Sequence, residues 1–198
     1  MNKNNNLVIG LTAPNAAGKG EVCKYLSGKG FLVMSLSDIL RKEAFRRGLK
    51  PTRDNLIMLG NDLRTKFGSE ILAKRLSKEI LKLKHDKIVV DSIRTVGEIK
   101  QLKKVFKKKF VLINISAPRQ LRFKFMQHRA RDGDPKSFKE FLKIERQECS
   151  NNSIKQQIHK CRILSNYFIN NNSTLQKLYQ KVDKIIKKIE TELDYRIS

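Results

Sequence analysis

Short apolar runs alternate along this chain with longer amphipathic stretches. The runs at 7–11, 31–34, 88–90, 110–115 and 167–169 are mostly rich in branched residues, as parallel strands covered on both faces should be. Helices are predicted between them, and several starts are legible. Thr95-Val96-Gly97-Glu98, Ser137-Phe138-Lys139-Glu140 and Ser173-Thr174-Leu175-Gln176 read as capping boxes, and Ser37 reads as an N-cap. The last helix carries Leu175, Leu178, Val182, Ile185 and Ile189 at three- and four-residue steps, so one face should pack on a sheet. No repeat or linker interrupts the pattern, so 1–190 reads as one domain, with a polar tail at 191–198 expected to fray.

Strand–helix alternation of this kind predicts a three-layer α/β fold with a mostly parallel sheet of about five strands. Ligands of such sheets bind beyond the carboxyl ends of the strands, which directs attention to the residues after each apolar run. The first such place is the most informative. Leu7-Val8-Ile9-Gly10-Leu11-Thr12 leads into Ala13-Pro14-Asn15-Ala16-Ala17-Gly18-Lys19-Gly20-Glu21 and then into a helix. A small-residue turn can wrap its N–H groups around a phosphate chain, the helix N-terminus adds its dipole, and Lys19 supplies a mobile charge. Asn15, Ala16, Ala17, Gly18, Lys19, Gly20 and Glu21 are therefore the predicted nucleotide-phosphate site. The match is imperfect: Ala13 stands where the first glycine of a phosphate loop usually sits, and Gly20 replaces the hydroxyl that touches magnesium.

Four further places follow. Asp38 and Arg41 fall near the start of a helix after the second strand, either as substrate groups or as an ordinary i,i+3 pair. Asp91, at the end of the third strand, can hold Mg2+ through water, and Arg94 can grip a substrate phosphate bidentately; alternatively Asp91 caps a turn or pairs with Arg94. Arg129-Ala130-Arg131-Asp132-Gly133-Asp134-Pro135, with Arg146 on the next helix, reads as a small lid near 129–146 or as a solvated basic turn. The loop Asn170-Asn171-Asn172 either contacts an adenine base or is a plain turn.

Composition narrows the partners. The chain has 198 residues, 39% hydrophobic and 31% charged, with no apolar run long enough to span a membrane. Cys23, Cys149 and Cys161 show no metal or disulfide spacing, which fits reduced thiols and a cytoplasmic location. The net charge of +24 admits nucleic acid as a partner but does not favour it, because the lysines are spread over helix faces without interleaved aromatics.

The pieces Gly18-Lys19-Gly20-Glu21, Ser37-Asp38-Ile39-Leu40-Arg41, Gly48-Leu49-Lys50-Pro51-Thr52-Arg53, Asp91-Ser92-Ile93-Arg94 and Arg131-Asp132-Gly133-Asp134-Pro135 are spaced across most of the chain. With them the chain resembles P-loop kinases of the nucleoside monophosphate kinase and dephospho-coenzyme A kinase group. Within that group it is most similar to adenylate-kinase-related proteins, some of which occur joined to deoxycytidylate deaminases. The resemblance implies a P-loop NTPase fold, ATP and Mg2+ as cofactors, and phosphoryl transfer to a small phosphorylated acceptor, foremost a nucleoside or deoxynucleoside monophosphate. It implies that Lys19 binds the transferred phosphoryl, that Arg41 and Arg94 bind the acceptor phosphate, and that Arg129 and Arg131 belong to the lid. The Gly-Lys-Gly form is usual in such loops, whereas Glu21 replaces a common threonine. No deaminase zinc signature is present. Dephospho-coenzyme A kinase is the alternative within the group; a P-loop ATPase or nucleotide-dependent RNA-binding protein is the alternative outside it.

Overall fold

The computed structural model describes residues 7–130 and 134–194. Five strands form one sheet: β1 (Leu7–Thr12), β2 (Leu32–Ser35), β3 (Lys87–Asp91), β4 (Phe110–Ser116) and β5 (Tyr167–Asn170). The order is β2-β3-β1-β4-β5 and every pairing is parallel, with Ile9 opposite Val89 on one side and Val111 on the other. The five strands fall where the apolar runs predict them, each within a residue or two at its ends.

Nine α-helices are seen among the described residues: α1 (Lys19–Gly28), α2 (Leu36–Arg46), α3 (Arg53–Phe67), α4 (Ile71–Ile80), α5 (Val96–Phe106), α6 (Arg119–Arg129), α7 (Phe138–Gln147), α8 (Ile158–Ile163) and α9 (Leu175–Asp194). They cover both faces of the sheet, which explains the continuous apolar runs. Successive strand residues point to opposite sides. Val8, Ile88, Val90 and Leu112 meet Leu40, Leu59, Leu63, Leu76 and Ile99 of α2 to α5. Ile9, Leu11, Val89 and Ile113 meet Val22, Leu26, Leu178, Val182 and Ile189 of α1 and α9. This is the three-layer α/β arrangement of P-loop NTPases.

The helix starts differ from expectation in instructive ways. Thr95 forms a complete capping box with Glu98. Ser137 accepts from Glu140 N at 3.2 Å, but the Glu140 carboxylate accepts from Lys136 N, one residue earlier than a capping box requires. The α9 cap is Thr174, which accepts from Lys177 N, rather than Ser173. Helix α2 is capped by Ser35, not Ser37: Ser35 ends β2 in extended conformation and its Oγ accepts from Ser37 N at 3.2 Å, so strand passes to helix with no loop. Helix α9 also continues to Asp194, taking in residues assigned above to a fraying tail, because Leu193 still packs against the apolar layer beneath it.

The Thr95 box is buried, and its hydroxyl also donates to Ser69 O at 3.1 Å. Thr95→Ala should therefore lower the unfolding free energy in a urea titration by about 1–2 kcal/mol. Ser137→Ala, at an exposed cap, should lower it clearly less.

Candidate functional site

The turn between β1 and α1 is built to keep its backbone amides free. Ala16 (φ 59°) and Gly18 (φ 95°) are left-handed, and Gly18 caps α1 without any side-chain bond. Within the loop Ala17 N donates to Pro14 O, while Glu21 N and Val22 N donate to Gly18 O. The N–H groups of Ala16, Gly18, Lys19 and Gly20 have no acceptor among the described residues. Four convergent donors at a helix N-terminus make an anion cradle. A β-carbon built at Gly20 meets nothing within 4 Å, so crowding does not forbid a hydroxyl there. Glu21 is exposed on the first turn.

Two side chains that sequence reasoning left without a firm role hold this loop. Asn171, buried after β5, donates from Nδ2 to Ala17 O at 3.1 Å, and its own N–H donates to Ser116 O. It is the buried member of the asparagine loop, fixing backbone rather than lying open to solvent. Arg122 on α6 is also buried; it donates to Asn15 O at 3.3 Å and to Ala117 O, pairs with Glu145 of α7, and stacks over Phe141. Arg122 carried no sequence signal, because one more cation in a chain of 43 looks like surface charge.

Lys19 points across the cradle and pairs with Asp91 at the carboxyl end of β3. Ser92 Oγ donates to Asp91 Oδ2 at 3.0 Å, and Ser35 Oγ donates to Ser92 Oγ at 3.2 Å. Burial opposes ionisation of Asp91, but the Lys19 charge and the hydrogen bonds from Lys19 and Ser92 outweigh it and hold the carboxyl below its ordinary range. Cys23 lies beneath the pair; burial, then the Asp91 charge, pushes its thiol up to about 12, so it is a packing residue rather than a nucleophile. Ser92 is itself left-handed (φ 65°), the kind of strain that collects at working sites.

Asp91 is thus engaged by Lys19, and the other helical roles fall to Glu98. Its Oε2 accepts from Arg94 N and Thr95 N, and its Oε1 accepts from Arg64 at 3.0 Å. Arg94 donates to Gln156 Oε1 at 2.7 Å and faces Glu148 at 3.8 Å, which leaves its guanidinium partly exposed. Asp38 and Arg41 form an i,i+3 pair at 2.7 Å, both more than half exposed, the simpler of the two arrangements expected for them. Arg129 holds Asp134 through two bonds of 2.7 and 2.8 Å and reaches Asn15 Oδ1 at 3.4 Å, so the foot of the expected lid sits beside the loop. Arg131 lies outside the described residues.

Two cavities meet over these groups. The larger, about 840 Å3, is lined by residues 13–21, Asp91, Phe125, Asn171 and Ser173. The smaller, about 240 Å3, has an apolar wall of Leu36, Leu40, Leu56, Ile57 and Leu72, with Arg53, Asn61, Arg64, Glu148 and Gln156 around it. Asn15, Ser37, Arg41, Ser92, Arg94 and Arg129 line both. The structure therefore brings together Lys19, Asp91, Arg41, Arg94 and Arg129, while Asp38 lines neither cavity. Among the described residues no three His, Cys, Asp or Glu side chains form a direct metal cluster, and no helix is long and apolar enough to cross a membrane.

The parallel sheet, phosphate cradle and paired cavities define a kinase-like P-loop nucleotide-binding fold. Residues 12–142 match the AAA domain family. A UPF0200 protein of Pyrococcus abyssi is 31% identical over 186 residues, covering 92% of this chain and 97% of its own length. A UPF0200/UPF0201 protein of Archaeoglobus fulgidus is 30% identical over 96% of this chain, which spans only 58% of that relative. Shikimate kinase from Acinetobacter baumannii, solved with shikimate, superposes with a TM-score of 0.55 at 14% identity, over 92% of this chain and 94% of its own, a likeness of fold. The chain belongs to the UPF0200 family and carries its P-loop in an AAA domain.

The Lys19–Asp91 pair has a consequence for acid stability. The Asp91 carboxyl is depressed in the folded chain, so its contribution is complete above the unfolded carboxylate pKa of about 3.9 and is lost as pH falls through the lower folded value. Asp91→Asn should flatten that part of the stability–pH curve below about pH 4, as read from urea midpoints between pH 2 and 7.

Proposed function

We propose that this protein is a cytoplasmic ATP-dependent kinase that transfers a phosphoryl group to a small phosphorylated acceptor, a nucleoside or deoxynucleoside monophosphate. The observation that carries the reading is the junction of the two cavities, where a phosphate cradle opens onto a second, half-apolar pocket across Lys19, Arg41, Arg94 and Arg129. A wall of five aliphatic side chains suits the face of a nucleobase. It suits a polyhydroxy acid poorly, because the hydroxyls would lose water without gaining partners. Dephospho-coenzyme A, the alternative acceptor, suits the arrangement less well, because its larger body exceeds a cavity of about 240 Å3.

In this reading the free N–H groups of Ala16, Gly18, Lys19 and Gly20 cradle the donor phosphates and Lys19 leaves Asp91 to follow the transferred phosphoryl. Arg94, already fixed through Glu98 and Gln156, holds the acceptor phosphate with Arg41. An acceptor phosphate oxygen then bonds to the γ-phosphorus as the bond to the β–γ bridging oxygen breaks, releasing ADP and a nucleoside diphosphate. Asp91, flanked by the Ser35 and Ser92 hydroxyls, fits an Mg2+ ion held through water, which would neutralise phosphate charge. The chain's part is positioning and charge compensation without a covalent intermediate. Arg129 and the segment 129–146 would close over the phosphates and exclude water.

ADP release with ATP, Mg2+ and single acceptors tests the reading. Nucleoside monophosphates should stimulate it; an RNA-dependent ATPase, the alternative that the charge of +24 admits, would respond to RNA and to no small acceptor. Lys19→Ala should lower turnover by orders of magnitude while thermal melting shows an intact fold; wild-type turnover in that variant would refute the assignment. Arg94→Ala should raise the acceptor KM roughly tenfold to a hundredfold, the loss of about 1.5–3 kcal/mol for a charge-assisted phosphate contact, with ATP affinity unchanged. Arg41→Ala should act in the same direction but less strongly, because Arg41 is more exposed than Arg94.

A further inference from the structure

Helices α4 and α5 lie side by side on one face of the sheet and run the same way. Thr95, the cap of α5, donates to O of Ser69, just before α4, at 3.1 Å, so the two helices start together. They have 10 and 11 residues, so they also end together. Their last residues, Ile80 and Phe106, pack into the same apolar layer. From these ends the chain enters β3 and β4, whose first residues flank the start of β1: Lys87 lies opposite Leu7, and Phe110 opposite Val8. This is the amino end of the sheet, the pole away from the two cavities.

Folding gathers lysines here that look evenly spread along the sequence. Lys82 and Lys84 follow α4, while Lys103, Lys104, Lys107 and Lys108 belong to the end of α5 and the short turn after it. All six are exposed, and none of their ammonium groups has a partner among the described residues. The site end differs: Arg41, Arg53, Arg64, Arg94 and Arg129 each face a carboxylate. Local preference does not explain the cluster. The dipole at the end of α5 favours cations in its last turn and accounts for Lys103 and Lys104. Lys107 and Lys108 stand one turn beyond them, where like charges repel. Lys107 also holds φ 50° and ψ −127°, a conformation suited to glycine. Charge is kept here against two local costs.

Six uncompensated point charges suit a polyanion. Lysine lacks the planar fork that reads base edges, so its contacts are to phosphates. Phe106 and Phe110 are buried and offer no platform for unpaired bases. Among residues 80–87 and 103–110, Leu81 is the one exposed large apolar side chain, too little for a face that inserts into lipid. We propose that this pole binds the phosphate backbone of double-stranded RNA, without reading its sequence and independently of the nucleotide site. RNA fits better than DNA, because the narrow A-form major groove brings the phosphates of both strands within reach of one compact cluster.

Fluorescence anisotropy of a labelled RNA duplex of about 20 base pairs, with the full chain, tests this. Affinity should be micromolar or better at about 50 mM salt and fall roughly a hundredfold by about 200 mM, as expected when about four lysines each meet one phosphate. Replacing Lys103, Lys104, Lys107 and Lys108 together by Gln should weaken binding at least about tenfold and leave kinase turnover unchanged. Replacing four exposed lysines of α1 and α9, Lys24, Lys177, Lys184 and Lys187, by Gln removes the same charge and should change binding by less than about twofold. Lys107→Gly should raise the urea midpoint while weakening RNA binding, opposite signs that a purely structural lysine would not give. Absence of binding at low salt, equal weakening by both four-site variants, or displacement of the RNA by a saturating ATP analogue with Mg2+ would overturn the proposal. So would tighter binding to a DNA duplex of the same length or to vesicles of phosphatidylserine and phosphatidylcholine.

Discussion

At Gly18 the backbone turns with φ 95°, and a β-carbon built there would lie 2.4 Å from Asn171 Nδ2. The same amide donates to Ala17 O, so one small residue and one buried asparagine jointly fix the path of the chain from β1 into α1. This constraint governs the rest of the site. With the carbonyl of Ala17 satisfied from behind and the carbonyl of Asn15 from Arg122, the loop has few ways to fold its amides onto itself. They remain turned outward at a helix N-terminus, where electrostatics favour an anion. Lys19 then projects from the first residue of α1 to the end of the neighbouring strand, and Asp91 receives it.

The sheet order explains why the remaining groups converge. β1 is central, between β3 and β4, so the loops after all three strands open on the same edge. β3 delivers Asp91, Ser92 and Arg94; β4 leads to α6 with Arg122 and Arg129; β5 delivers Asn171. Glu98 ties the second cavity to this edge by binding Arg64 with one oxygen and the backbone of Arg94 and Thr95 with the other. A fully buried carboxylate between a guanidinium and a helix start is well satisfied, and it couples the placement of Arg94 to the helix that lines the far side of the smaller pocket.

Much of this was legible beforehand because it depends on local pattern. Runs such as Ile88-Val89-Val90 and Val111-Leu112-Ile113 could only be strands covered on both faces, and Thr95 with Glu98 satisfied a box four residues long. The phosphate loop and the ends of β2, β3 and β4 followed from the rule that ligands sit at the carboxyl ends of parallel strands. Arg64, Arg122 and the detailed role of Asn171 escaped for a common reason. Their partners are 34, 23 and 154 residues away, and in so basic a chain a buried arginine is indistinguishable by composition from a solvated one. The cap of α2 was misplaced by two residues because Ser35 and Ser37 are both good caps, and only the end of β2 decides between them.

The account stands or falls on two cavities that hold two different molecules at once. The direct measurement is a calorimetric titration of the nucleoside monophosphate that best stimulates ADP release into the protein already saturated with a non-hydrolysable ATP analogue and Mg2+. The account predicts that the monophosphate still binds, at one molecule per chain and with an affinity no weaker than in the analogue's absence. Loss of its binding in the saturated protein would mean that both ligands compete for the loop at Lys19, and would contradict a donor and an acceptor held side by side.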